Sequence, residues 1–203
     1  MSHRIPALAL SALLLGFGVT AQAATVVGAT QVHVTSGDTY LQIAELLAYD
    51  FGGVDVAYAG EYATVSALNQ YSETSQPINA IDGVYPRGYD SNPGIYHSAG
   101  TAGDFLNVFF YAPANLSSLT IYGRTDCCAE RDLYNVTIFN AAHELLYSGS
   151  LDATTQGFAT VNFDRPQGAA VPEPSLWATL VLGFATVGAA LRRRRPQAVR
   201  ARA

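Results

Sequence analysis

Apolar and polar residues alternate in short runs through the middle of the chain. "TQVHVTS", "FLNVFFYA", "LSSLTIYG", "LYNVTIFN" and "ELLYSGSL" are rich in Val, Ile, Thr, Tyr and Phe. Leu119 with Ile121, and Val136 with Ile138, sit two apart with polar or exposed partners between them. That period of two predicts strands with one buried face. Turn-forming clusters separate the runs: "SGD", "FGG", "YPRGYDSNPG", "SAGTAGD" and "APAN". "DATTQGFATVNFD" supplies a last strand. "YLQIAELLAYD" has helix propensity, but among so many strands it reads as the end of one. No internal repeat is evident, and the stretch 58–103 is loop-rich, with Gly, Ser, Asn and Asp throughout. Long loops are where binding residues concentrate. The most economical architecture is all-β, a two-sheet sandwich of jelly-roll type over residues 24–164.

Two segments break the alternation, one at each end. Residues 1–23 hold one Arg in "MSHR", an apolar run from Ala7 to Val19, and Ala21-Gln22-Ala23. This is the pattern of a secretory signal peptide with a small-x-small cleavage site; the alternative is a short buried helix. At the other end, residues 165–170 form a linker. Val171-Pro172-Glu173-Pro174 follows as a rigid, non-helical step. Leu176–Leu191 is an unbroken apolar run of 16 residues, and Arg192, Arg193, Arg194 and Arg195 close it. The run is slightly short for a transmembrane helix of about 20 residues, within what flanking residues or a thinner bilayer accommodate. The arginine block is expected to stay cytoplasmic, followed by a tail over 196–203, so the folded part faces outward.

The tail over 171–195 resembles the PEP-CTERM sorting signal of Gram-negative bacteria. That resemblance implies recognition by an exosortase, with cleavage near the Pro-Glu-Pro motif. It also implies an inner-membrane intermediate that passes to the cell surface or extracellular matrix. The alternative is an ordinary C-terminal anchor.

Charge narrows the function. Residues 24–169 carry four arginines (87, 124, 131 and 165), no lysine and fifteen acids, a formal charge of 4 − 15 = −11. The value of −5 for the whole chain hides this behind the arginine-rich tail. Nucleic acid is a poor partner for such a surface, because neutralising phosphates needs a basic patch. An acidic, oxygen-rich surface is compatible with calcium.

Both cysteines of the chain, Cys127 and Cys128, lie in "GRTDCCAER". Neighbouring Cα atoms are about 3.8 Å apart, closer than most disulfides allow. A bridge between them would close almost no loop and contribute little entropic stabilisation. A rigid, polarizable sulfur surface beside two cations is one reading; two reduced, partly buried cysteines are the other. Too few soft ligands exist for a zinc-type site. Arg124 and Arg131 bracket the pair with planar forks of donors, suited to hydroxyl or carboxylate recognition. Plain salt bridges to Asp126 and Glu130 are the alternative.

"RTDCCAER" resembles the signature of fucolectins, the F-type lectins, which belong to the discoidin-like, galactose-binding-like jelly rolls. His97 precedes Arg124 with 26 residues between them, close to the two dozen or so of the family pattern, and Arg124, Asp126 and Arg131 fit the rest. The resemblance implies that His97, Arg124 and Arg131 bind the hydroxyls and ring oxygen of a fucose-like sugar. It implies that Asp126 orients an arginine and that a Cys127–Cys128 disulfide packs against the sugar's apolar face. "SQPINAIDG" is similar to the family's stretch before the sugar site. The implied structural calcium ligands are Asn79, Asp82, the Val84 carbonyl, Glu45 and the Ala44 carbonyl. For Asn79 alone a turn-forming role is the alternative.

Two features depart from the family pattern. The strand bearing Glu45 comes first rather than last, which implies a circular permutation. Phe105-Leu106 replaces a tryptophan pair, and Phe109 an acid, changes that bear on core packing.

The leading expectation is an exported, surface- or matrix-associated carbohydrate-binding module. A structural matrix protein without ligand is the second. An enzyme is not expected, because neither a nucleophile–base–orienter set nor an acidic dyad stands out.

Overall fold

The computed structural model describes residues 24–166. The signal peptide expected over 1–23, the Val171–Pro174 motif, the apolar segment 176–191, the arginine block and the tail 196–203 lie outside the described residues.

The alternating runs form antiparallel strands. In chain order these are β1 (Val26–Ser36), β2 (Gln42–Ile43), β3 (Glu45–Asp50), β4 (Ala63–Ala67), β5 (Tyr96–His97), β6 (Phe105–Tyr122), β7 (Leu133–Asn140), β8 (Leu145–Asp152) and β9 (Phe158–Asn162). Two short 3₁₀ turns, Pro77–Ile81 and Ala129–Arg131, are the helical elements among the described residues. The fold is all-β, as the periodicity predicts.

β1 lies between β6 and β7 and shows how alternation builds the core. Val32 pairs across the sheet with Val108 and Ile138, and Val34 with Leu106 and Val136. All six side chains are fully buried. Side chains facing each other across strands are the unit of sheet stabilisation, and burying each contributes about 1.5–3 kcal/mol. "ELLAYD" follows its tertiary partner rather than its helix propensity. Its backbone pairs with β6 from Glu45↔Tyr122 to Asp50↔Leu116.

β6 differs from the sequence expectation. "APAN" is not a turn between two strands; residues 112–115 lie within one strand of 18 residues. Pro113 is exposed there, where a missing N–H costs no sheet bond. The ladder with β1 steps from Ala29↔Ala114 to Gln31↔Phe109, so β6 carries surplus residues at this point and bulges. The bulge divides its partners. The N-terminal half lies between β1 and β4, and the C-terminal half between β3 and β9. A separate two-stranded ladder joins β2 to β5 through Gln42↔His97 and Ile43↔Tyr96.

The stretch 58–103 is loop-rich, as expected, holding only β4, β5 and the Pro77–Ile81 turn. It delivers tyrosines to the end of the molecule where β2, β5 and the loop after β6 meet.

Leu119 is fully buried in the C-terminal half of β6, whereas Tyr111 at the bulge is 60% exposed. Leu119→Ala is expected to lower unfolding stability by about 2–5 kcal/mol. Tyr111→Ala is expected to change it by no more than about 0.5 kcal/mol. Urea denaturation of the two variants checks the difference.

Candidate functional site

β6 ends at Tyr122, and the chain turns through Gly123 into the arginine–cysteine loop. Cys127 and Cys128 are joined by a disulfide, and no free cysteine remains. Cys128 adopts a left-handed backbone, φ +63°, uncommon for a residue with a side chain. The Ala129–Arg131 turn follows at once, with the Arg131 N–H donating to the Cys128 carbonyl at 3.0 Å. The loop therefore reverses within a few residues and returns Arg131 toward Arg124.

Arg124, Arg131 and His97 line one surface concavity of about 260 Å³, together with Tyr40, Tyr71 and Tyr89. Three residues singled out in the sequence thus meet in space. The disulfide itself does not line this hollow; it sits beyond it on the loop, with Cys127 exposed and Cys128 half-buried. The three tyrosines were not singled out in the sequence. They come from the turn-rich segments "GDTYLQ", "NQYSE" and "RGYDS", and the only signal was an aromatic ring in an otherwise polar turn.

The rings pack around His97, whose centroid lies 5.3, 5.1 and 5.6 Å from those of Tyr40, Tyr71 and Tyr89. His97 is buried, and its Nδ1 lies 2.8 Å from the Ser98 carbonyl oxygen. That carbonyl can only accept, so Nδ1 carries a proton. Burial lowers the His97 pKa, the Ser98 contact opposes that, and the charges of Arg124 and Arg131 lower it further. At neutral pH the ring is therefore neutral, and Nε2 is an acceptor.

Each arginine lies over a tyrosine, Arg124 at 5.4 Å from the Tyr89 ring centre and Arg131 at 5.0 Å from that of Tyr40. Arg124 donates from Nε and Nη2 to both oxygens of Asp126, at 2.7 and 2.9 Å. The same carboxylate accepts from the Tyr89 backbone N–H at 3.2 Å. The Arg124 hydrogen bonds pull the Asp126 pKa down to about 2, against a smaller opposing effect of burial. Asp126 thus orients an arginine, and the salt-bridge alternative holds for Arg124 at the same time. Arg131 is bound more loosely, with Asp38 at 3.9 Å and Glu130 at 3.7 Å.

Glycine is required at two places beside the site. A Cβ on Gly88 would come within 2.6 Å of Asp126 Cγ, and one on Gly100, where φ is +80°, would run into the Tyr40 ring.

A buried polar group supports the loop from beneath. Gln42, opposite His97 in the β2–β5 ladder, donates from Nε2 to the Cys128 carbonyl at 2.9 Å and to Asp132 Oδ1 at 2.8 Å. The Tyr134 hydroxyl lies 2.8 Å from the Gln42 carbonyl oxygen and 3.1 Å from Asp132 Oδ1. Gln42, Asp132 and Tyr134 are all fully buried. Burial pushes the Asp132 carboxyl up to about 6, although both hydrogen bonds favour its charged form. Sequence reasoning missed this group, since its members are up to 92 positions apart and none carries a motif.

The residues expected to hold calcium lie elsewhere. Ala44, Glu45 and Asp82 come together, but around the guanidinium of Arg87. Arg87 donates from Nη2 to the Ala44 carbonyl at 3.0 Å and from Nη1 to Asp82 Oδ2 at 2.9 Å. Glu45 Oε2 stands 3.9 Å from Nη2, and Glu45 Oε1 accepts from the Gly83 N–H at 3.0 Å. Burial pushes the Glu45 carboxyl up to about 8. Asn79 turns its amide nitrogen to the Thr74 carbonyl at 2.8 Å, and the Val84 N–H donates to Asp82 Oδ1 at 3.0 Å. Of the side-chain oxygens in this set, only Glu45 Oε2 is buried without a hydrogen bond. With the Arg87 guanidinium already on the Ala44 carbonyl and Asp82 Oδ2, the residues as arranged do not fit a calcium ion.

Comparison of the chain with family models, with curated proteins and with solved structures returned no match.

Asp132 makes the support of the loop measurable. Its folded pKa lies above its usual value of 3.8, so the fold favours the protonated carboxyl. Its contribution is complete below about pH 4 and is lost as pH rises through about 6. Wild type should therefore lose on the order of 1–2 kcal/mol relative to Asp132→Asn between pH 4 and pH 7. Urea denaturation of both proteins at the two pH values gives the difference.

Proposed function

We propose that the chain is an exported carbohydrate-binding module for fucose-like sugars. The carrying observation is the concavity where Arg124, Arg131 and neutral His97 converge inside a wall of three tyrosines. Two guanidinium groups and an imidazole nitrogen supply donors and an acceptor at fixed positions. Aromatic rings supply apolar area for the C–H face of a sugar. Small-molecule sites commonly combine a mainly apolar lining with a few placed polar groups. A hollow of about 260 Å³ suits a monosaccharide unit rather than a long oligosaccharide. The disulfide adds a rigid shoulder that a second sugar residue would meet.

The finer fold belongs to the same reading. A bulged strand that divides its partners between its halves is one way to make the corner of a β-sandwich. We assign the fold to the galactose-binding-like jelly rolls, permuted so that the Glu45 strand comes early. The signal peptide over 1–23 directs export, and the tail over 171–195 directs exosortase processing and display at the cell surface or in the matrix. Single-site affinity for such a small pocket is weak, and many copies on one surface would raise it through avidity.

A structural matrix protein is the second reading. The bidentate Arg124–Asp126 pair favours it, because two of the donors of Arg124 are already used.

A glycan array with the full-length chain, purified in mild detergent and kept oxidised, separates the two. The first reading expects selective binding to fucosylated glycans. It also expects Arg124→Ala to abolish that binding in a protein that still folds, melting several degrees below wild type because the largely buried guanidinium leaves Asp126 unpaired. Absence of binding to any glycan by a folded protein supports the matrix reading.

A further inference from the structure

We infer that Arg87 is the resident cation of this fold, and that its guanidinium takes the place of a divalent ion among Ala44, Glu45 and Asp82. The inference is independent of whether the tyrosine-walled hollow binds sugar.

Arg87 is 4% exposed, in an acidic segment, 24–169, that carries four arginines. Its two terminal nitrogens reach two separate elements, the Ala44 carbonyl between β2 and β3 and Asp82 just after the Pro77–Ile81 turn. The Arg87 carbonyl also accepts from the Thr125 N–H at 3.2 Å, which ties the group to the arginine–cysteine loop. Joining a strand, a turn and a loop by oxygen contacts is what a structural calcium ion does. A guanidinium does it with directed N–H donors and a charge that is never titrated away.

The two cations exclude one another. Calcium binds oxygens at about 2.3–2.6 Å. An ion that close to both the Ala44 carbonyl and Asp82 Oδ2 would overlap the guanidinium, which already lies 3.0 and 2.9 Å from them. Like charge adds to the steric conflict. The same oxygens suit either cation, so an oxygen-rich motif such as "INAIDG" does not say which one is present. The arginine in "YPRGYD", five positions beyond Asp82, decides it.

The test is thermal melting of the full-length chain in mild detergent, with about 10 mM calcium and with excess EDTA. Wild type is expected to melt within about 1 °C in the two conditions, since a ligand that does not bind the native state cannot raise its Tm. Arg87→Met keeps the side-chain length and removes the charge. It is expected to melt roughly 10 °C lower in EDTA, because a broken buried ion pair leaves its partners uncompensated. Calcium should restore several degrees of that loss, and Arg87→Lys should lie closer to wild type and stay insensitive to calcium. A wild-type Tm that rises by several degrees with calcium overturns the inference. So does an Arg87→Met chain that melts with wild type. Should Arg87→Met fail to fold, the wild-type comparison alone decides.

Discussion

Four strands pair with β6: β1 and β4 along its first half, β3 and β9 along its second, with the first residues of β1 reaching past the bulge. A strand with that many partners fixes the register of everything around it, and a slip by one residue would turn every buried side chain outward. Both polar sites sit at its C-terminal end. Glu45 is opposite Tyr122, the Ala44 N–H donates to the Tyr122 carbonyl at 2.8 Å, and the arginine–cysteine loop starts two residues later. The Arg87 group and the tyrosine-walled hollow therefore share one anchor. A change in the path of β6 would move both.

The vicinal disulfide has a role that its short loop makes easy to misjudge. Joining adjacent residues removes little freedom from the unfolded chain, so the bridge does not stabilise the fold in the usual way. Its effect is local. It confines the Cys127–Cys128 dipeptide, with Cys128 left-handed, and points the Cys128 carbonyl at Gln42 Nε2. Gln42 in turn is held by Asp132 and Tyr134. The loop is thus fixed at its crest by a covalent ring and beneath by a buried polar network. Buried hydrogen-bonded networks of this kind rigidify the groups they hold. Two arginines on either side of such a crest keep a set separation, and a preorganised pair loses less entropy on meeting a ligand.

What the sequence revealed follows from how local each feature is. Alternation is local, so "LYNVTIFN" and "ELLYSGSL" were legible as β7 and β8. The bulge in β6 depends on where Ala29 and Gln31 pair, which "APAN" alone cannot indicate. Arg124, Asp126 and Arg131 were legible because they share one short motif with the cysteines, and Asp126 does orient Arg124. The tyrosines were not, because three separate turns bring them together. Arg87 was hidden for a chemical reason: oxygens that suit calcium also suit a guanidinium.

The three arginines of the folded segment that line or support these sites form a series when their acid partners are compared. Arg87 is buried and committed through both terminal nitrogens. Arg124 gives Nε and Nη2 to Asp126 and keeps Nη1, so its charge is largely cancelled while its plane is fixed. Arg131 meets its acids only at 3.7 and 3.9 Å, beyond hydrogen-bond reach. A ligand entering the hollow would share Arg124 with Asp126 but would not have to break a hydrogen bond at Arg131. In the binding reading, Arg124 therefore contributes orientation and Arg131 contributes most of the uncommitted donor capacity. Neutral His97 beside them accepts rather than donates at Nε2, so the three groups together match a ligand that is itself both donor and acceptor. A hydroxyl is such a group, so in the binding reading the hollow suits sugar hydroxyls.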